Sequence, residues 1–303
     1  MENLKNFVRF ITSPIRFFFA TSNRSLLKSI YSKDKTLKHD VKSDFRTKIL
    51  MGLHQTLVGS HPETFAIHNN EINFSSTGGL MSVQAHYVGE VEYHQMNYLI
   101  KNHLKKDMVF LDVGGHHGAF ATIVAHELKK QNLSGKVFTF EPDVRNIAFI
   151  EKNILQNNLT EVIQIVKKAV SDQNGKGKFI LHPDNSCNWL EIGVETASEL
   201  ESTEVVEMVS IDNFCKNFER VDVIKIDIQG GEFKALVGAE KVLDKFKPVL
   251  FVEIMDYSVD AKKAKAFLEK KGYSLNYLTK DSRLVKAGNP EIFVSWDVVA
   301  IYS

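Results

Sequence analysis

The chain has 303 residues, of which 44% are apolar and 25% charged, a composition typical of a folded globular protein rather than a disordered one. Its 38 basic and 37 acidic side chains give a net charge of +1, so we predict no nucleic-acid partner. The two cysteines, Cys187 and Cys215, form no C-x-x-C pair. This argues against a disulfide scaffold and a structural zinc site, and it favours a reducing compartment, which we predict to be the cytoplasm.

The charge is unevenly distributed. Residues 1–48 contain 11 Lys or Arg against 4 Asp or Glu, a net charge of +7, which leaves −6 on the other 255 residues. The apolar stretch Phe7–Ala20 contains Arg9, Pro14 and Arg16 and has only 14 residues, whereas a membrane span needs about 20. Two interpretations of residues 1–48 stay open: a peripheral anchor on an anionic membrane, or a basic arm that packs on its own domain or on a partner chain.

The predicted elements begin with a hairpin over residues 64–74, whose turn is at Asn69-Asn70, and a helix over residues 91–104. We assign residues 49–105 to this N-terminal region and residues 106–303 to the main domain. In the main domain, apolar runs alternate with amphipathic segments, which predicts a doubly wound, mostly parallel α/β sheet with an antiparallel pair after the last helix. The predicted strands are 108–113, 136–140, 162–166, 221–228, 248–254, 273–278 and 292–301, and the predicted helices are 119–130, 143–156, 232–245 and 261–271.

Two details of this pattern can be tested directly. In the helix over 143–156, we expect Ile147, Ile150, Ile154 and Leu155 to face inward. The long connection over residues 171–204 interrupts the alternation, and such connections are often functional. It is either a functional loop or a surface hairpin with a mobile tip.

The first chemical motif begins at the end of the predicted strand 108–113. It reads D-x-G-x-x-x-G, from Asp112 through Gly114 to Gly118. Glycines at such a turn let a ligand approach the backbone closely, in the crevice where doubly wound folds bind ligands. A dinucleotide fingerprint would have a glycine where this chain has His116. The turn therefore favours a cofactor that lacks a pyrophosphate.

Acidic residues end three of the predicted strands. Glu141, 23 residues after Gly118, ends the second strand, where a carboxylate can accept hydrogen bonds from both hydroxyls of a ribose. Asp143 is a candidate N-cap for the next helix. Asp227 and Glu253 end two later strands.

Lys225 and Asp227 lie two residues apart in a strand, so we expect them on one face, and a structural ion pair is the alternative to a catalytic role. For catalysis, Asp227, Glu253, His116 and His117 are candidate general bases, and Lys225 would orient the carboxylates or stabilise charge. A divalent ion held by Asp227 and a neighbouring acid is an alternative.

The order and spacing of these motifs resemble the FkbM-type methyltransferase family over about residues 90–256. The motifs are Asp112-Val113-Gly114-Gly115-x-x-Gly118, Glu141-Pro142, Lys225-Ile226-Asp227-x-x-Gly230-x-Glu232, Gly238-Ala239, and Pro248 with Glu253-Ile254. The resemblance implies a class I, Rossmann-like fold with a seven-stranded, mostly parallel sheet and an antiparallel edge. It also implies S-adenosylmethionine as cofactor and O-methylation of a sugar, glycan or glycolipid. By the same resemblance, the cofactor-binding residues are Asp112, Gly114, Gly115, His117 and Gly118 toward the methionine part, Glu141 and Pro142 at the ribose, and the loop from Ala169 to Asp172 beside the adenine.

The chain departs from the family pattern at the cofactor turn and at the active rim. The family commonly has Ala-Asn where this chain has Gly115-His116, and Glu where it has Gln229. If that acid is a base or a metal ligand in relatives, this chain has altered chemistry or none. Two alternatives to a methyltransferase therefore stay open: a non-catalytic binding protein with a cofactor fold, and a nicotinamide-dependent oxidoreductase. The sequence does not identify the small-molecule or glycan acceptor.

Overall fold

The structure is a computed structural model that describes residues 63–77, 92–181, 189–191, 202–254, 259–292 and 297–303. The chain forms two compact units, Met1–Val91 and Glu92–Ser303. The basic segment 1–48 lies outside the described residues, as does Cys187. None of the helices in the described ranges combines the length and the apolar character needed to cross a bilayer.

In the first unit, a two-stranded hairpin pairs β1 (Glu63–Ile67) with β2 (Ile72–Ser76). The turn includes Asn69 and Asn70, both with positive φ (58° and 65°), a backbone conformation that asparagine adopts more readily than most residues. The predicted hairpin and its turn are confirmed. Phe65 pairs with Phe74 across the strands, and their rings meet edge to face at 5.9 Å between centroids.

The second unit alternates strands and helices in the predicted order. Its helices are α1 (Tyr93–His103), α2 (Ala119–Lys130), α3 (Val144–Gln156), α4 (Ile211–Phe214), α5 (Glu232–Val237), α6 (Glu240–Phe246) and α7 (Val259–Lys270). Its strands are β3 (Met108–Val113), β4 (Gly135–Phe140), β5 (Ile163–Val166), β6 (Ala169–Val170), β7 (Gly175–Leu181), β8 (Trp189–Glu191), β9 (Ser202–Val209), β10 (Val223–Ile226), β11 (Val249–Glu253), β12 (Tyr273–Leu278), β13 (Leu284–Val285) and β14 (Asp297–Tyr302).

The main sheet has the strand order β13-β12-β14-β11-β10-β3-β4-β5. Strands β5, β4, β3, β10 and β11 are parallel, whereas β14 is antiparallel to both β11 and β12. The predicted doubly wound sheet is confirmed, with the antiparallel pair on one side of it. The eighth strand is the two-residue β13, which pairs with β12 at the edge and is too short to leave a periodic signal in the sequence.

The predicted helix over 232–245 is two helices, α5 and α6, which are separated at Gly238-Ala239. A Cβ on Gly238 would lie 2.2 Å from the carbonyl oxygen of Ser171, so the chain needs glycine where these segments touch. Asp212 then accepts hydrogen bonds from the backbone N–H groups of Lys241 and Val242. These are free N–H groups at the start of α6, and satisfying them stabilises a separate helix.

Helix α3 confirms three of its four predicted inward residues. Ile147, Ile150 and Ile154 are buried, whereas Leu155 is 65% exposed, so that prediction was wrong. The three isoleucines, spaced by three and four residues, form the buried face of the helix. Leu155 comes one residue after Ile154 and is therefore rotated about 100° around the helix axis, away from that face.

The long connection after β6 contains a second sheet with the order β6-β9-β7-β8. Strands β7 and β9 are antiparallel over seven residue pairs, from Gly175–Met208 to Leu181–Ser202. In its described part, the connection therefore forms a small sheet in which β7 is antiparallel to β8 and β9, whereas β6 and β9 are parallel. Residues 182–188 and 192–201, which include its predicted tip, lie outside the described residues.

Candidate active site

The parallel register of the main sheet brings polar side chains of neighbouring strands together. Lys225 on β10 is opposite Asp112 on β3, which in turn is opposite Thr139 on β4. Paired residues of adjacent strands project to the same face of a sheet. All three residues are buried, and each comes one residue before the carboxyl end of its strand, where such folds bind ligands.

Lys225 is the centre of the polar group. Its ammonium lies 3.1 Å from Asp227 Oδ2 and 3.7 Å from Glu92 Oε2, and it sits over the Phe120 ring at 5.0 Å from the centroid. Burial disfavours the charged amine, but the surrounding carboxylates outweigh burial and raise the pKa of Lys225. The lysine is therefore a fixed positive charge, and the predicted placement of Lys225 and Asp227 on one face is confirmed.

Asp227 accepts a hydrogen bond at each of its carboxylate oxygens. Lys225 donates to Oδ2 at 3.1 Å, and the amide of Gln229 donates to Oδ1 at 3.1 Å. The same amide nitrogen donates to Glu253 Oε2 at 3.2 Å. Burial alone would raise the pKa of Asp227, but Lys225 and hydrogen bonds with Glu253, Lys225 and Gln229 lower it. Gln229 thus joins two of the predicted catalytic acids, in a backbone conformation with φ of 57°.

Two acids of this site are not among the residues predicted from the sequence. Glu92, immediately before α1, contacts Lys225, and Asp297, at the start of β14, is opposite Glu253 in the strand register. Asp297 is also close enough to raise the pKa of Glu92. Neither belongs to a strand–turn–helix motif, so no local pattern marks them. We call Glu92, Asp112, Asp227, Glu253 and Asp297 the carboxylate cluster.

The glycine turn from Gly114 to Gly118 follows β3 and is tightly packed. A Cβ on Gly114 would lie 1.9 Å from the carbonyl oxygen of Asp227, and one on Gly115 would lie 2.1 Å from Thr139 Oγ1. Gly114 and Gly118 also have positive φ, 88° and 79°. No other residue type fits Gly114 without displacing the strand end that carries Asp227.

Asp112 is buried below this turn with 1% of its surface exposed. Its Oδ2 accepts a hydrogen bond from the Thr139 hydroxyl at 3.1 Å, whereas Oδ1 has no hydrogen-bond partner among the described residues. Burial raises the pKa of Asp112, although Lys225, the Thr139 hydroxyl and the backbone N–H of Ala121 oppose this effect. A buried acceptor without a partner is costly, so it marks a place where a donor from a ligand would be stabilising.

His116 and His117 stack on each other in the glycine turn, with 3.7 Å between ring centroids. His117 is buried and also packs on Phe149, at 4.6 Å between centroids. Burial and the neighbouring His116 lower the pKa of His117 to about 2, which keeps this imidazole neutral. His116 is the more exposed of the two and has φ of 50°.

Glu141 is buried at the end of β4, and each of its oxygens accepts a backbone hydrogen bond. Oε2 accepts from the N–H of His116 at 2.8 Å, and Oε1 from the N–H of Asp143 at 3.0 Å. Burial raises the pKa of Glu141 to about 8, although these hydrogen bonds and one with Asn146 oppose the rise. The glutamate therefore ties the glycine turn to the start of α3, where Asp143 is the predicted N-cap and accepts from the Arg145 N–H.

The remaining predicted cofactor residues lie beside Glu141. Pro142 is half-buried between Glu141 and the N-cap of α3. The backbone N–H of Glu141 donates to the carbonyl of Val166, the last residue of β5, and the segment from Ala169 to Asp172 follows three residues later. Ala169 is buried in β6, and Asp172 Oδ1 accepts from the Ser171 hydroxyl at 3.0 Å.

A metal site needs at least three ligand atoms close together. Among the described residues, the acids at the strand ends do not meet this requirement. Asp227 and Glu253 are instead bridged by an N–H donor of Gln229, which occupies acceptor positions that a cation would need. The predicted metal-assisted alternative therefore finds no support in this geometry.

The part of the chain that contains these residues is similar to known proteins. Residues 112–275 match the family model described as the methyltransferase FkbM domain. The chain is similar to the 2-O-methyltransferase NoeI of Sinorhizobium fredii, with 27% identity over 168 residues. That alignment covers 50% of this chain and 65% of the relative, so the chain spans slightly less than two thirds of the curated protein it matches.

Two solved structures are similar to this one. An FkbM methyltransferase from Methylobacillus flagellatus is 17% identical, with 74% of this chain and 55% of that chain covered and a TM-score of 0.44. A SAM-dependent O-methyltransferase from Thermotoga maritima is 13% identical, with 70% and 66% covered and a TM-score of 0.40. The family model covers more than half of the chain and includes the glycine turn, Glu141, Lys225 and Asp227. The chain belongs to the FkbM methyltransferase family.

Proposed function

We propose that this protein transfers the methyl group of S-adenosylmethionine to a hydroxyl oxygen of a sugar, either in a glycan or in a glycolipid. The observation that carries the proposal is the buried corner formed by Asp112, the glycine turn and Glu141. Membership of the FkbM family supports the reaction type, and the 2-O-methyltransferase activity in the name of the relative supports oxygen as the acceptor atom.

The residues present fit this cofactor. Gly114 lets the end of β3 pack directly on the Asp227 carbonyl, and the positive φ of Gly114 and Gly118 turns the chain directly after β3. Asp112 offers a buried acceptor without a partner among the described residues, which suits a donor such as an ammonium group. The Glu141 carboxylate accepts two backbone hydrogen bonds and one from Asn146, which leaves acceptor capacity for a ribose hydroxyl.

The acceptor side of the reaction requires positioning and removal of a proton. When bound, the cofactor supplies an electrophilic methyl group on a sulfonium. The carboxylate cluster next to the glycine turn would orient the acceptor hydroxyl and take its proton, and Lys225 would fix the carboxylates. The basic segment 1–48 would hold a lipid-linked acceptor near an anionic membrane surface in this proposal.

Calorimetry tests the proposal in two steps. S-adenosylmethionine and S-adenosylhomocysteine are titrated into the wild type, Glu141→Ala and the surface variant Glu269→Ala, with NAD as the competing ligand. We expect micromolar binding of the first two ligands, lost only in Glu141→Ala, and no NAD binding. Transfer of a tritiated methyl group to a panel of methyl glycosides and glycolipids then identifies the acceptor. Folded wild type that binds neither ligand, or that binds NAD instead, would refute the proposal.

A further inference from the structure

The backbone of Glu92 is in an unusual conformation. Glu92 is the N-cap residue of α1 but has φ of 44° and ψ of 47°, the left-handed region that side chains other than glycine rarely adopt. Its side chain makes no capping hydrogen bond with the helix. Non-glycine residues held in this region cost about 1–3 kcal/mol and concentrate at functional sites. The conformation therefore has no explanation in helix capping.

The Glu92 carboxylate instead contacts Lys225 within the carboxylate cluster. One oxygen lies 3.7 Å from the Lys225 ammonium, a longer contact than the 3.1 Å between Lys225 and Asp227. The Glu92 side chain is 24% exposed, whereas that of Lys225 beneath it is 8% exposed. Glu92 is thus fixed on one side by a buried cation and accessible to a ligand on the other.

Three of the other acids of the cluster are less suited to taking a proton. Both oxygens of Asp227 accept from strong donors, Lys225 and Gln229, which makes the carboxylate a weaker base. Glu253 shares the Gln229 amide. Asp112 is 1% exposed and, in the proposed function, accepts from the ammonium group of the cofactor instead.

We propose that Glu92 is the general base that removes the proton from the acceptor hydroxyl, held in position by Lys225. This inference rests on the proposed methyl transfer and deepens it. The acceptor oxygen forms a bond to the methyl carbon while the carbon–sulfur bond breaks, and the electron pair of that bond stays on sulfur. The hydroxyl proton passes to a carboxylate oxygen of Glu92 and then to solvent.

The charges around Glu92 agree with this role. Lys225 on β10, Asp227 immediately after β10, Asp112 on β3 and Asp297 on β14 are the charged groups that act on it. Burial raises the pKa of Glu92 to about 7, Lys225 opposes the rise, and the three aspartates add to it. A base with a pKa near the working pH combines a large ionised fraction with a strong tendency to accept a proton.

Kinetics of Glu92→Gln and Glu92→Asp test the proposal, with Glu269→Gln as the surface control. We expect Glu92→Gln to bind S-adenosylmethionine within about twofold of the wild type while kcat falls by about 10²–10⁴-fold, the usual contribution of a general base. KM should change little, and the acidic limb of the kcat–pH profile should disappear. Glu92→Asp should restore part of kcat. A variant that keeps wild-type kcat and its acidic limb would overturn the proposal.

A second measurement needs no acceptor. NMR titration of protein labelled with ¹³C at glutamate carboxyl groups, in wild type and Glu92→Gln, isolates the Glu92 signal as the one that the variant lacks. We expect it to titrate near neutral pH. Titration below pH 5 would overturn the proposal, even if no acceptor is known. Failure of the proposed function has a different signature, since the wild type would then bind no S-adenosylmethionine whatever the titration of Glu92.

Discussion

Replacement of Glu141 by glutamine should make the stability of the protein less dependent on pH. The folded protein raises the pKa of this carboxyl from its usual 4.5 to about 8, chiefly by burial. The folded state therefore keeps the proton where the unfolded chain has lost it, and stability falls as pH rises from 4.5 to 8. Since one pKa unit corresponds to about 1.4 kcal/mol, the ionised Glu141 costs the folded protein about 4–5 kcal/mol above pH 8.

Glutamine resembles the protonated glutamate in shape, but its amide nitrogen would face one of the two backbone N–H donors, so below pH 4.5 the variant should be less stable than the wild type by an amount that does not change with pH. Above this pH, the free energy of unfolding of Glu141→Gln relative to that of the wild type should rise by a few kcal/mol up to pH 8. Urea unfolding at half-unit pH steps, with linear extrapolation to water, measures the difference. Glu269→Gln controls for the loss of a surface carboxylate. Parallel stability curves for wild type and Glu141→Gln would refute the reasoning.

The same substitution should weaken the cofactor site. In the proposed function, ionised Glu141 accepts hydrogen bonds from ribose hydroxyls, and an amide has only one acceptor oxygen. A variant that is more stable at pH 8 but binds S-adenosylmethionine less tightly would mean that the protein maintains an unfavourable buried charge for binding. Such an exchange of stability for function is common at ligand sites.

Three further substitutions test the local geometry, each by urea unfolding. Gly114→Ala should lower the free energy of unfolding by more than about 3 kcal/mol because its Cβ would lie 1.9 Å from the Asp227 carbonyl oxygen. The control Gly288→Ala, with a similar positive φ and nothing within 4 Å of its Cβ, should lower it by about 1–2 kcal/mol. Equal losses would contradict the steric argument. Gln229→Glu should lose about 1–3 kcal/mol at pH 8 and less at pH 5, because it replaces an N–H donor between two carboxylates by a third acid; a loss independent of pH would contradict this. Asp143→Ala should lose about 1–2 kcal/mol through its N-cap hydrogen bond, and an unchanged stability would mean that solvent replaces this bond.

The sequence predicts those parts of the fold whose signal is local. Strand β3, helix α2 and strand β12 begin and end at the predicted residues because apolar periodicity and glycine turns delimit them. The break between α5 and α6 has no such signal, because it arises where Gly238 meets the backbone of Ser171, 67 residues earlier in the chain. The exposure of Leu155 likewise depends on which side of α3 faces the sheet.

The candidate site divides in the same way. Asp112, Lys225 and Asp227 could be predicted because each follows or ends an apolar strand, and parallel strands end at one edge of the sheet. Glu92 precedes the first helix of the second unit, and its role depends on how α1 packs on the sheet. A sequence pattern shows only which residues are neighbours along the chain. It therefore does not indicate an acid that a helix outside the β-α-β repeat places at the site.

The composition of the carboxylate cluster itself argues for chemistry rather than packing. One buried lysine needs one well-placed carboxylate to be neutralised, and Asp227 at 3.1 Å fulfils that need. Glu92, Asp112 and Asp297 add further negative charges around the same ammonium or one another, which burial makes costly. An arrangement selected for stability alone would replace the additional acids by apolar or amide side chains, as Gln229 does at one position. The additional acids are therefore best explained by a ligand that presents donors and a proton to this edge of the sheet.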